Sequence, residues 1–223
     1  MTTARKRSLS SASTAEYVPE TTSLGVLREA AADCRGCDLY RHATQTVFGE
    51  GRAGAPFIFV GEQPGDSEDQ DGRPFVGPAG KLLRASMQEA GIDEKDVYIT
   101  NAVKHFKFIE RGKQRIHQTP KRIEIVACSP WLDAEILAVK PQMVVALGAT
   151  AAQSLMGASF RLTQHRRELL SSPRAAHVMV TVHPSSILRA IDDAARHEQR
   201  KAFVEDLKTI AATLGELRSE PRH

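Results

Sequence analysis

With 223 residues, 41% of them apolar and 26% charged, the chain has the composition of a globular protein long enough to bury a core without disulfide staples. That composition excludes collagen, a coiled coil and disorder throughout, and the most apolar run, Met143–Leu147, is far short of the ~20 residues a membrane helix needs. Lys and Arg outnumber Asp and Glu by only 30 to 27, a surplus too mild to name a partner.

In chain order, residues 1–23 lack periodicity and are rich in Ser, Thr, Ala and Glu, which predicts a disordered tail. Arg5-Lys6-Arg7 is followed by Ser8–Thr14 with no apolar stretch for a secretory leader, so a cytosolic protein without membrane partners is expected. Leu24, Leu27 and Ala31 predict a short helix leading into Cys34. Four apolar, partly β-branched runs then read as buried strands: Phe57–Val60, Val97–Thr100, Met143–Leu147 and Val178–Val182. Between the first two, Leu82, Leu83, Met87 and Ala90 recur at helical spacing. Thr119-Pro120 suits an N-cap and first helical position for a helix through Val139, which Pro130 should kink or divide. Thr150–Met156 and Ser186–Leu214 supply further helical patterns. One domain is expected over 24–214, with a polar C-terminal tail at 215–223. Strands alternating with helices, without an obvious hairpin signal or internal repeat, predict a parallel sheet with helices on both faces.

Ligands of such sheets gather beyond the carboxyl ends of the strands. Here Val60 runs into Gly61-Glu62-Gln63-Pro64-Gly65-Asp66, Thr100 into Asn101, Leu147 into Gly148-Ala149-Thr150, and Val182 into His183-Pro184-Ser185-Ser186. Four exits carrying Glu, Asn and His predict an active site. Charge is uneven around it. Five acids and no base lie between Gly61 and Asp71, whereas Asn101–Glu124 is net +5 and Arg161–Arg189 net +4. An acidic loop between two basic stretches suits a carboxylate site inside a phosphate-binding rim, although charged surface alone would look the same.

Cys34, Cys37 and Cys128 are the only cysteines, an odd count that does not suggest a secreted disulfide framework. Cys-x-x-Cys with a distant third Cys suits a thiolate-bound metal lacking one ligand, which His105 could supply; a redox pair would be expected directly after a strand.

Cys34-Arg35-Gly36-Cys37, Gly61–Asp66, Arg73-Pro74-Phe75-Val76-Gly77-Pro78-Ala79-Gly80, Asn101-Ala102-Val103-Lys104-His105 and His183-Pro184-Ser185-Ser186, in this order, resemble the family-4 uracil-DNA glycosylases. The resemblance is greater to their covalent-trapping relatives called UdgX, which also carry His at the position of His105 and a basic Ile-His loop like Lys113-Gln114-Arg115-Ile116-His117. Gln114 departs from that loop, which has Arg there. The resemblance covers roughly Leu24 to Leu207. It implies a three-layer α/β/α sandwich around a four-stranded parallel sheet, and a [4Fe–4S] cluster held by Cys34, Cys37, His105 and Cys128.

The activity implied is excision of uracil from DNA, single-stranded DNA favoured, by a bacterial cytosolic monomer. Phe75 would stack on the flipped base, Asn101 would pair with its N3–H and O4, and Asp66 would add to the uracil pocket. His183 would stabilise the departing uracil anion and Glu62 the cationic sugar. His117 would capture the sugar C1′ covalently, with Glu62 or Gln63 orienting its imidazole. Lys113, Arg115, Ser185, Ser186 and Arg189 would meet DNA. Two rival expectations are a turnover glycosylase in which His117 is incidental, and a non-catalytic iron–sulfur module that only binds uracil-containing DNA.

Overall fold

A computed structural model describes residues 13–219. The first helix, α1 (Leu24–Ala32), starts at Ser23, whose side chain caps the backbone N–H of Val26. Strand β1 (Phe57–Gly61) is followed by the short α2 (Asp66–Asp71), α3 (Pro78–Glu89) and β2 (Val97–Asn101). Next come β3 (Phe108–Arg111), β4 (Gln114–His117) and α4 (Arg122–Val139), then β5 (Met143–Leu147) and α5 (Ala149–Met156). The chain closes with β6 (Leu170–Ser172), β7 (Ala175–Thr181), α6 (Pro184–Leu188) and α7 (Asp193–Ser219).

The main sheet has five strands in the order β2-β1-β5-β7-β6. The first four are parallel, as their apolar runs predict, and β6 adds an antiparallel edge that three residues were too few to signal. Period-two alternation divides its core. Phe57, Phe59, Val145 and Met179 face α3 and α7 through Leu83, Met87, Phe203 and Leu207, while Ile58, Val60, Val144 and Val180 face α4 and α5 through Leu132, Ala151 and Leu155. A third apolar cluster lies between α1 and α4 and contains all three cysteines with Trp131. No helix among the described residues is long and apolar enough to cross a membrane.

Four expectations need correction. A two-stranded antiparallel hairpin, β3–β4, stands apart from the main sheet, turning at Gly112-Lys113 with Gly112 at φ 61. Helix α4 begins after Lys121 rather than at Thr119-Pro120, because Glu124 accepts the Lys121 N–H as a capping-box carboxylate. Pro130 does not divide α4: the Val126 carbonyl, deprived of a Pro130 N–H, accepts the Ser129 hydroxyl at 3.0 Å. The Ser186–Leu214 pattern splits into α6 and α7, since Asp192 accepts the Ala195 N–H and caps a fresh helix.

The tails also differ from expectation. Residues 1–12 lie outside the described residues, but Thr14 is buried and donates both its N–H and its hydroxyl to the Ala127 carbonyl of α4. Gly36 permits this passage, because a Cβ there would stand 2.5 Å from the Ser13 carbonyl oxygen. At the other end α7 continues through Ser219, so 215–219 are helical.

Under the sheet, Lys104 and Glu135 form an ion pair only 1% and 0% exposed. Glu135 also accepts hydrogen bonds from Tyr98, Thr100 and the Gly49 N–H, and Lys104 Nζ donates further to Thr100 and to the Asn101 carbonyl. Glu135→Leu should lower unfolding free energy by about 3–5 kcal/mol, because it strands a buried ammonium. The Lys104→Met/Glu135→Leu double variant should recover most of that loss in denaturant unfolding.

Candidate active site

In the order β2-β1-β5-β7 the chain leaves β1 toward β2 and returns on its other side at β5, so the sheet reverses between β1 and β5. Crevices at such reversals hold ligands. Register sets the floor of this one: Gly61 ends β1 opposite Asn101 of β2. A Cβ on Gly61 would meet Asn101 Oδ1 at 2.3 Å and Phe75 Cζ at 2.6 Å. Only glycine leaves that space open.

Phe75 is buried at φ 55, a strained backbone for a bulky residue. The Arg84 guanidinium donates to its carbonyl, and a Cβ at Gly80 would collide with that oxygen, so neighbours hold the strain in place. The Phe75 ring lies 5.7 Å, centroid to centroid, from that of His183. Asn101 is 2% exposed and its Oδ1 has no hydrogen-bond partner among the described residues. An unpaired buried acceptor is free to take a donor from a ligand or from water.

Glu62 leaves β1 toward two imidazoles. Its Oε1 lies 3.2 Å from His117 Nε2 of β4, and Oε2 accepts the Thr150 hydroxyl from α5. Burial by itself would raise the Glu62 pKa, but the bonds to His117 and Thr150 and the nearby His117 and His183 hold it below the ordinary carboxylate value. Burial pushes His183 the other way, down to about 4, so this imidazole is neutral at physiological pH. Its Nδ1 accepts the Ser185 backbone N–H at 3.1 Å. The ring proton therefore resides on Nε2, which is left as a donor.

Phe75, Asn101, Glu62, His117 and His183 are thus gathered at one end of the sheet. Gln63 is nearby in a different role. Its amide accepts from the Lys107 N–H and donates to the Lys107 and Gln118 carbonyls, clamping both ends of the β3–β4 hairpin rather than orienting His117. Arg115, expected on phosphate, is 20% exposed and pairs with Asp66 and Asp69 while its guanidinium lies over Phe106 and Phe108. Asp66, expected in the uracil pocket, is committed to that latch and to Gln70. Ser185 serves His183, and Ser186 donates to the His183 carbonyl. Lys113 is exposed at the hairpin turn, and Arg189 is exposed but close enough to His183 to influence its charge. Sequence reasoning missed Thr150, Asp69 and the Phe106–Phe108 stack; Thr150 stood in a strand exit already singled out.

Cys34, Cys37, His105 and Cys128 are all buried. Burial pushes the Cys37 thiol up to about 11 and Cys128 up to about 12, and the three sulfurs lie near enough to repel one another as thiolates. Trp131 Nε1 donates to Cys34 Sγ and the Lys104 N–H to Cys128 Sγ, at 3.2 and 3.3 Å. Soft donors supplied with N–H···S bonds suit a thiolate-bound group. Among the described residues no three candidate ligands converge on one ion. The ligands of a multi-iron cluster sit on different irons and have no need to. His105 Nε2 is bonded to the Thr46 hydroxyl at 2.9 Å, on the side of Asp69.

The neutral His183 carries a measurable consequence. Between its folded value of about 4 and its ordinary 6.5, only the unfolded chain takes up the proton, so stability is full above pH 6.5 and falls as pH drops. Wild type should lose up to about 1.4 kcal/mol per pH unit in that window relative to His183→Gln, measured by urea unfolding at successive pH values. Equal slopes would show that His183 is not buried neutral.

A family model described as the uracil DNA glycosylase superfamily matches residues 48–208. Three curated relatives named Type-4 uracil-DNA glycosylase align over most of both chains. That of Thermotoga maritima is 36% identical, covering 82% of this chain and 90% of its own length. That of Sulfurisphaera tokodaii is 36% identical, covering 84% and 83%, and that of Archaeoglobus fulgidus 34%, covering 82% and 88%. The matched span holds every strand of the sheet and all the residues around Glu62, and the chain belongs to the uracil DNA glycosylase superfamily.

Proposed function

We propose that the protein excises uracil from DNA and that His117 then captures the sugar. The excision half is supported by the relatives and by the orphaned Asn101 Oδ1, an acceptor for uracil N3–H beside a buried aromatic ring. The capture half is carried by one observation: an imidazole on a separate hairpin lies 3.2 Å from the Glu62 carboxylate at the mouth of the site.

In this reading the flipped base stacks on Phe75 while Asn101 reads its edge. The bond from C1′ to N1 breaks with its electron pair remaining on uracil. His183 Nε2–H donates to the anionic O2, and the Glu62 carboxylate favours the cationic sugar. Glu62 also accepts a hydrogen bond from the His117 Nε2–H, whose proton stays on that nitrogen, and this leaves the lone pair of Nδ1 available to C1′. A C–N bond forms, and the resulting imidazolium stays paired with Glu62. An N-alkylated imidazole is a poor leaving group, so the event ends there. Excision followed by attack of water is the second reading, favoured by the similarity to Type-4 relatives and by the 48% exposure of the His117 side chain.

The DNA partner in this reading is single-stranded, because an unpaired base is flipped without breaking a duplex, and the exposed Lys113 and Arg189 would meet its phosphates. The protein works as a cytoplasmic monomer. Cys34, Cys37, His105 and Cys128 would hold a [4Fe–4S] cluster that ties the N-terminal loop and the Asn101 loop to α4 as a structural staple.

Mixing the protein with a uracil-containing single-stranded oligonucleotide should give a band that survives denaturing electrophoresis. His117→Ser should lose that band yet still release uracil, since Glu62, Asn101 and His183 remain and water can enter. A band that persists in the variant refutes His117 as nucleophile; wild type that leaves alkali-labile DNA without a band refutes capture. Purified protein should be brown and yield acid-labile sulfide; stoichiometric zinc without sulfide would refute the cluster.

A further inference from the structure

The exits of β1 and β5 face each other where the sheet reverses, and one side-chain contact spans that gap: the Thr150 hydroxyl on Glu62 Oε2. We propose that Thr150 is a positioning residue, fixing the Glu62 carboxylate in the orientation that presents Oε1 to His117 and to the sugar. The inference rests on the roles given above to Glu62 and His117.

The geometry leaves the hydroxyl one role. A carboxylate only accepts, so Thr150 must donate. Its side chain is nearly buried in the first turn of α5, and a β-branched residue has little rotamer freedom in a helix. The turn that carries it is fixed as well: Gly148 precedes α5 at φ 90, and a Cβ there would stand 2.9 Å from His183 Cβ. The β5–α5 junction is therefore wedged between the acid and the neutral imidazole. Glu62 is faced by His117 from β4, His183 from the β7–α6 junction and Thr150 from α5, with Arg189 acting on His183. Thr150 is uncharged and donates to Glu62 whatever the charge on these neighbours.

Removing the hydroxyl frees the carboxylate to rotate and removes one of the two hydrogen bonds that hold its pKa down, so the carboxylate form is lost at a higher pH. The test compares wild type, Thr150→Val and Thr150→Ser as full chains on a uracil-containing single-stranded oligonucleotide, with folding checked by circular dichroism. Uracil release and adduct formation are followed in single turnovers from about pH 4 to 8. Thr150→Val should slow release by roughly ten- to a hundredfold, the loss expected for a hydrogen bond to a charged group. Its acid limb should move to higher pH while the oligonucleotide concentration for half-maximal rate stays unchanged. Thr150→Ser should restore most of the rate and the wild-type limb.

Wild-type rate and limb in Thr150→Val overturn the proposal. So does a folded Thr150→Ser as slow as Thr150→Val, which would make the role one of packing. Wild type that releases uracil without forming an adduct refutes capture by His117, and the release profile still decides Thr150. If wild type does neither, the parent reading falls. Carbon-13 titration of the Glu62 carboxyl then decides, and equal midpoints in wild type and Thr150→Val overturn the positioning role.

Discussion

The buried pair of Lys104 and Glu135 is the constraint on which the site depends. Two charges removed from water are tolerated only when every polar atom around them is satisfied. Glu135 reaches from α4 to Tyr98 and Thr100 on β2 and to the Gly49 backbone, and Lys104 closes back onto Thr100 and the Asn101 carbonyl. This network fixes how the chain leaves β2. Asn101 is thereby turned into the crevice with its side-chain oxygen unpartnered among the described residues, and the Lys104 N–H is placed on Cys128. The Asn101 amide and the cysteine pocket are organised by one ion pair, with His105 the next residue along.

A second set of tethers holds the hairpin. It presents Ile109 and Ile116 to solvent, so apolar burial does little to fix it. Polar contacts do so instead. The Gln63 amide closes its base, Arg115 latches it to Asp66 and Asp69 over the Phe106–Phe108 stack, and Glu62 meets His117 at its far end. Asp69 is itself fully buried and accepts the Thr44 N–H, while Thr46 two residues on meets His105. The segment between the cysteines and β1 thus connects the latch to the imidazole of the expected cluster.

How much of this was legible in the sequence follows from where each signal lies. The four parallel strands were readable because each is an unbroken apolar run buried on both faces, and Glu62, Asn101 and His183 were readable because they stand directly at strand exits. The hairpin was not, because Phe108–Arg111 and Gln114–His117 are polar, exposed strands whose only local mark is Gly112. Gln63, Asp66 and Arg115 were recognised as belonging near the site, but their partners lie 44 to 55 residues away, a tertiary matter that periodicity does not encode. Glu135 gave no signal at all, since a lone acid in a helix reads as surface.

The acid at the centre of the site distinguishes two chemically identical groups by burial. Both His117 and His183 face Glu62, yet His183 is partly buried and neutral, its tautomer fixed by the Ser185 N–H, whereas the His117 side chain is about half exposed on a hairpin that the core does not bury. A neutral imidazole with its proton on Nε2 can donate to a developing anion without carrying charge into the crevice beforehand. An imidazole at the mouth, hydrogen-bonded to a carboxylate through one nitrogen, keeps the other nitrogen basic. The difference in depth between the two imidazoles is set by which element carries each residue: His183 caps α6 just beyond an interior strand, and His117 lies on a hairpin outside the sheet.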